Sequence, residues 1–162
     1  MLATAKHFVA GGDPVNGLNL SPMDVPLRSL RQDFFPPFEK AVQAGVFTFM
    51  AAHNEINGVP AHANRFLFTD VLRKEWGFEG FVVSDWLDIE RLATMHRVAE
   101  TQKEAVYQSV DAGLDMHMHG PDFLEPLLKL VNEGRTAEAR IDDALRKVVQ
   151  RVLLSPKVRN PR

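Results

Sequence analysis

The chain has 162 residues, of which 45% are hydrophobic and none is cysteine, and its formal net charge is -2. That length and composition suit one domain with a packed core, and they exclude a disulfide scaffold, a thiolate metal site and a cysteine nucleophile. The charge leaves no electrostatic footprint for nucleic acid or an anionic membrane. No apolar run approaches a membrane-spanning helix, and Met1 to Phe8 lack the charged start and long apolar middle of a signal peptide.

Leu2 to Ala5 form a first short apolar run, read as a strand, with Lys6 and His7 at its exit. Gly11 to Pro26 is a long loop rich in Gly, Pro and Asn, and loops of that size in compact domains usually serve function. Leu30, Phe34, Phe38 and Val42 recur every four residues, a helix whose regular part opens at Pro36 and Pro37. Val46 to Ala51 is a second strand, followed by His53 and Asn54, with Asn57-Gly58 as a turn. Asn64 or Thr69 caps a helix through Leu67, Val71 and Leu72 that stops at Gly77.

Phe81 to Ser84 is a third strand, and it ends abruptly in Asp85 and Trp86. Asp88, Glu90 and Arg91 read as a solvated face. Glu104 to Ala112 is a helix ended by Gly113, and Leu114 to Met118 a fourth strand carrying Asp115 and His117, with His119 beyond it. Pro121 suits the first position of a helix carrying Leu124, Leu127, Leu128 and Val131 and closed by Gly134. Ile141, Ala144, Leu145, Val148, Val149, Val152 and Leu153 follow the spacing of one helical stripe. The basic tail after Ser155 reads as an exit or linker.

Strands alternating with helices predict an α/β fold with parallel strands and right-handed crossovers. A (β/α)8 barrel needs eight strands and about 250 residues. Four strands in this length predict either a small open sheet or part of a barrel, and half a barrel exposes two strand edges.

In a parallel sheet the strand exits share one face, where α/β folds place chemistry. Lys6, His7, His53, Asn54, Asp85, Asp115, His117 and His119 are then expected to converge. Each has a plainer reading. Asp85 suits a helix N-cap, His7 a core histidine, and His53 and Asn54 a turn. Met50 and Trp86 read first as packing. Lys6, beside a buried strand, calls for a carboxylate or a ligand. His117-x-His119 on a strand would point two imidazoles the same way, toward a shared zinc.

Several blocks in order resemble glycoside hydrolase family 3, the β-glucosidase and β-xylosidase family. They are Thr4-Ala5-Lys6-His7-Phe8, the stretch Met50 to Pro60 with its Asn57-Gly58-Val59-Pro60, the run Leu67 to Trp86 and Ala112-Gly113-Leu114-Asp115-Met116. The resemblance implies a TIM-barrel-like N-terminal domain of that family, of which residues 1-154 are the C-terminal half, with 155-162 as exit segment. It implies Asp85 as catalytic nucleophile, Lys6 and His7 as donors to sugar hydroxyls, and Met50, His53 and Trp86 as pocket residues. His53 stands where many members have tyrosine.

The activity implied is a retaining exo-β-glycosidase in carbohydrate catabolism, without cofactor or metal, acting on a small oligosaccharide or aryl β-glycoside. Retaining chemistry needs two carboxyl groups about 5 Å apart. The family's acid/base comes from a second domain or from a His-Asp pair on a barrel loop. Asp13, in the loop after Phe8, lacks the spacing of that pair. The upstream barrel half with its sugar-binding aspartate and arginine is also expected outside this chain. The isolated chain is therefore expected to turn over little, as an inactive fragment of such an enzyme. A metal-dependent hydrolase built on His117 and His119 is the remaining alternative. Many family members are secreted or periplasmic, and that setting is the expectation for a full-length parent.

Overall fold

The computed structural model describes residues 2–120 and 122–154. Its strands in chain order are β1 (Thr4–Phe8), β2 (Thr48–Ala51), β3 (Glu55–Ile56), β4 (Val59–Pro60) and β5 (Phe81–Val83). β1, β2 and β5 form one parallel sheet in that order, and β3 and β4 pair as a small antiparallel hairpin. The result is an α/β fold with a parallel sheet at its centre.

Phe81, Val82 and Val83 are all buried, as an unalternating apolar run requires of a strand covered on both faces. β1 begins two residues later than its apolar run suggests. Leu2 is 45% exposed, whereas Phe8 is fully buried. The Phe8 ring meets Phe49 edge-on at 5.4 Å and Trp76 at 5.8 Å. That aromatic cluster sets the register and carries Lys6 and His7 into the strand itself, at the outer edge of the sheet.

The fourth strand is not formed. Leu114 to Met118 contribute a single parallel bridge, Val83 to Met116. Asp115 and Met116 donate their backbone N–H groups to Val82 O at 2.9 and 3.1 Å. The Val82 N–H, which a continuing ladder would give to a carbonyl, goes instead to Asp115 Oδ2 at 2.9 Å. Gly80, leading into β5, lies so close to β2's approach that a Cβ there would meet Phe47 O at 2.1 Å.

The helices follow their local signals. α1 (Leu27–Ser29) runs through a π-helical turn, Leu30–Phe34, into α2 (Pro36–Gln43), whose first turn holds both prolines. The helix Phe66–Glu75 is π-wound, with Trp76 N–H reaching Val71 O at 3.0 Å. Asn64 is its side-chain cap, accepting from Leu67 N at 3.3 Å, while the Thr69 hydroxyl donates to Ala112 O. α3 (Asp88–Thr94) follows Asp85, as a helix capped by that residue would, but its N-cap is Leu87. α4 (Gln102–Ala112) starts early because Thr101 Oγ1 accepts from Glu104 N at 3.2 Å. α5 (Leu124–Asn132) and α6 (Glu138–Leu154) complete the chain. Pro121 and the 155–162 tail lie outside the described residues. None of the described helices is long and apolar enough to cross a membrane.

Asp115 does not join the other polar exit residues. Its side chain is fully buried and accepts from Arg73 Nη2, with Arg140 Nη1 at 3.1 Å and Lys147 Nζ at 3.6 Å. The Arg140 contact lacks hydrogen-bond alignment, so it is Coulombic. Three cations from the Phe66–Glu75 helix and α6 thus converge on one carboxylate. Asp115→Ala is expected to lower the unfolding free energy by about 3–5 kcal/mol, because it strands Arg73 and Arg140 without a carboxylate, Lys147 alone keeping another in Asp143. Urea titration of the 162-residue chain measures it; a loss under about 1 kcal/mol would show that water already screens the cluster.

α5 and α6 leave an apolar face open. Leu124 and Leu145 are 67% and 59% exposed, and a cavity of about 580 Å³ runs between the two helices beneath Met116 and Phe123. That hollow does not include Asp85.

Candidate active site

Asp85 lies immediately beyond β5, and its position there follows from sheet geometry. Val83, the last residue of β5, is tied to Met50 on one side and Met116 on the other. The chain then turns sharply, with Leu87 in the left-handed region at φ 60° as the N-cap of α3. Asp85 is therefore not the helix cap, and no side chain fills that role.

The two oxygens of Asp85 have different partners. Oδ1 accepts from Trp86 N at 2.6 Å. Oδ2 is buried, with His53 Nε2 at 3.1 Å and His7 Nε2 at 3.3 Å, yet neither contact has the alignment of a hydrogen bond. A buried carboxylate oxygen with no aligned donor departs from the usual rule that buried polar atoms are paired. Such exceptions concentrate where chemistry is done.

His7 and His53 stack with ring centroids 5.9 Å apart. The His7 side chain is 41% exposed, and desolvation nonetheless holds its pKa below the ordinary value, Asp85 opposing and Lys6 adding to the shift. Lys6 is exposed and pairs with no carboxylate among the described residues, so the partner expected for it is not Asp85. An edge strand open to solvent removes the need for one. Met50 is half-buried in β2. Trp86 is 51% exposed and stacks face to face on His119 at 3.8 Å, forming a flat shelf beside Asp85 rather than a closed wall.

Behind Asp85 stand His62, which no sequence signal singles out, and Asp88 and Arg91, which read from sequence as a solvated face. His62 is buried and accepts the Asp85 N–H at Nε2, 3.0 Å away. Burial first, then the nearby His53, His96, Arg91 and His117, pushes its pKa down to about 3. Asp88 is 2% exposed, not on a solvated face. Its Oδ2 accepts from His53 Nδ1 at 2.6 Å and its Oδ1 from Arg91 Nη1. Burial raises the Asp88 pKa, while Arg91 and His53 work against that rise. Arg91 also donates to Trp86 O at 2.9 Å. Ile89 and Leu92, three apart and fully buried, were the available signal for this helix and its inward-facing Asp88.

The fourth-strand histidines diverge. His117 stacks on Phe123 and faces Glu90 at 3.4 Å, whereas His119 stacks on Trp86. Without a regular strand, the two-residue spacing no longer aligns them. No cluster suited to a metal ion occurs among the described residues, which removes the basis for a shared zinc. Asn54 is buried and donates to Glu55 O.

Residues 1–151 match the Glycosyl hydrolase family 3 N terminal domain. The chain belongs to glycosyl hydrolase family 3. It is 40% identical over 149 residues to a putative beta-xylosidase of Formosa agariphila, covering 91% of this chain and 20% of that protein. Identity to a lysosomal beta glucosidase of Dictyostelium discoideum is 39% over 151 residues, 91% of this chain and 18% of that one. The crystal structure of a beta-glucosidase from Listeria innocua in complex with glucose superposes with a TM-score of 0.92 at 33% identity, covering 99% of this chain and 23% of the other. The family 3 chain described here thus spans about a fifth of the length of these relatives.

Proposed function

We propose that this chain is part of a retaining exo-β-glycosidase, contributing the second half of a (β/α)8 barrel and, at Asp85, its nucleophile. The observation that carries the proposal is the state of Asp85: one oxygen anchored by Trp86 N, the other buried and without an aligned donor. An attacking carboxylate needs a fixed orientation and a free lone pair. It must also be ionised. Lys6, exposed and unpaired among the described residues, and His7 present donors that suit sugar hydroxyls. The Trp86–His119 shelf offers a flat face for the apolar side of a sugar ring. Met50 and His53 would line the same subsite.

The acid/base lies elsewhere in the parent protein on this reading. Asp88 shares His53 with Asp85, but Arg91 and His53 occupy it, so it is not free to protonate a leaving group. The relatives' names point to a β-glucoside or β-xyloside as substrate, in carbohydrate catabolism. The open edge of β1 and the uncovered face of α5 and α6 support a larger structure closing over both. The isolated 162-residue chain is then a catalytically silent portion. Incubating the full-length protein with a 2-deoxy-2-fluoro-β-glycoside bearing a good leaving group is expected to trap a glycosyl ester on the peptide containing Asp85. Labelling of a different carboxylate would overturn the nucleophile assignment. Robust hydrolysis of an aryl β-glucoside by the 162-residue chain alone would overturn the need for the rest.

A further inference from the structure

Asp88 is the most heavily engaged buried carboxylate near Asp85, yet it touches neither Asp85 nor the open face. Three cationic or potentially cationic groups surround it: Arg91 Nη1 on Oδ1, His53 Nδ1 at 2.6 Å from Oδ2, and His62 Nδ1 at 3.7 Å from Oδ2. Each of these groups also holds part of the Asp85 turn. His53 presents Nε2 to Asp85 Oδ2 at 3.1 Å. His62 accepts the Asp85 backbone N–H. Arg91 donates to the carbonyl of Trp86. The Asp85 amide and the Trp86 carbonyl are therefore each hydrogen-bonded to a residue that faces Asp88, and the Asp85 side chain faces a third such residue, His53, without a hydrogen bond.

The proton positions follow from donor and acceptor roles. His62 Nε2 accepts, so its neutral ring carries the proton on Nδ1, the nitrogen facing Asp88. The His53 Nδ1 lies 2.6 Å from Asp88 Oδ2, in a carboxylate whose other oxygen accepts from Arg91, so it carries a proton there too. Both rings thus have an Nδ1 proton directed at Asp88, and both turn Nε2 toward Asp85. A carboxylate behind a histidine is the usual device for fixing ring orientation and tautomer.

We propose that Asp88 is the positioning residue of this site: it fixes the Nδ1 protons of His53 and His62 and thereby the orientation of the Asp85 carboxylate. Its catalytic meaning rests on the glycosidase reading, but the proton arrangement does not. Leu87, in the left-handed conformation, is the hinge that lets residues 85 and 88 face the same pair of imidazoles.

Long-range nitrogen–proton NMR on the 162-residue chain with ¹⁵N-labelled histidine reads these protons directly. The expected result is a protonated Nδ1 on both His53 and His62 and a bare Nε2 on His62. A wild-type His62 protonated on Nε2, or a bare Nδ1 on His53, overturns the proposal without any variant. Asp88→Asn keeps an acceptor but removes the charge, and is expected to release the His53 Nδ1 proton into tautomeric exchange and to shift the Asp85 amide resonance. Unchanged His53, His62 and Asp85 signals in that variant would equally overturn it. In the full-length protein, Asp88→Asn is expected to lower kcat by about 10- to 100-fold with KM changed less than about twofold, the split expected of misorientation rather than lost binding. Failure of the fluorosugar to label Asp85 would refute the glycosidase and leave the proton positions standing. Wrong proton positions would refute the role of Asp88 and leave labelling intact.

Discussion

Asp85→Gly in the full-length protein is expected to lower kcat on an aryl β-glucoside by about 10⁴-fold or more. The substitution removes the carboxylate, and with it the acceptor of Trp86 N, while the residue-85 N–H keeps its His62 acceptor, so the proposed sugar site keeps its other walls. Oδ2 has no aligned donor to lose, and the cavity opens toward His7, itself 41% exposed. A small anion is then able to enter. Added azide is expected to restore turnover and yield the α-glycosyl azide, because it attacks the anomeric carbon from the face the carboxylate occupied. Formation of β product, or activity within about tenfold of wild type, would rule out Asp85 as nucleophile. Stability argues in the same direction. Oδ2 is a buried polar atom without a hydrogen-bonded partner, and a protein selected for folding alone would not keep it. Asp85→Gly adds backbone freedom in the unfolded chain, so thermal unfolding of the variant must be followed beside its kinetics.

The parts of this fold that could be read from residues were those with local causes. Pro36 and Pro37 open α2 because their missing N–H groups cost nothing in a first turn. Gly77, Gly113 and Gly134 end helices at positive φ. The run Phe81 to Val83 is a strand because nothing in it is polar. The place of Asp85 at the exit of that strand was legible for the same reason, whereas the role proposed for it came from the family resemblance.

What escaped was decided by tertiary contacts. The Ile89–Leu92 spacing was the one local sign that Asp88 faces inward, and its partner His53 lies 35 positions earlier. His62 sits between two alanines with no periodic pattern, and only its contacts with the Asp85 N–H and with Asp88 give it a role. Asp115 looked like an exit residue, but Arg73, Arg140 and Lys147 draw it into a separate ion cluster. The fourth strand failed for the same cause, since the Asp115 side chain takes the donor that a ladder needs. Family resemblance supplied the order of the blocks, but the behaviour of Oδ2 came only from geometry.

His62 is expected to dominate the acid sensitivity of the chain. Its folded pKa of about 3 lies below the ordinary 6.5, so between those values the unfolded chain binds a proton that the folded chain refuses. Stability is then fully present above about pH 6.5 and is lost as pH falls toward 3. At about 1.36 kcal/mol per pH unit, the full interval amounts to about 5 kcal/mol, comparable with the whole stability of many domains. His7, lowered by desolvation, acts with the same sign. Asp88 opposes both: its raised pKa lets the folded chain take up a proton first as pH falls toward 3.8, which recovers part of the loss. His62→Gln offers the Asp85 N–H a carbonyl acceptor but no titrating ring. Urea unfolding of the 162-residue chain at pH 7, 5.5 and 4.5 (about the upper half of the window) is expected to show a steep decline for wild type and a much shallower one for the variant. Equal slopes for the two proteins would mean that His62 is charged without penalty, and that its ring does not sit neutral behind the Asp85 amide.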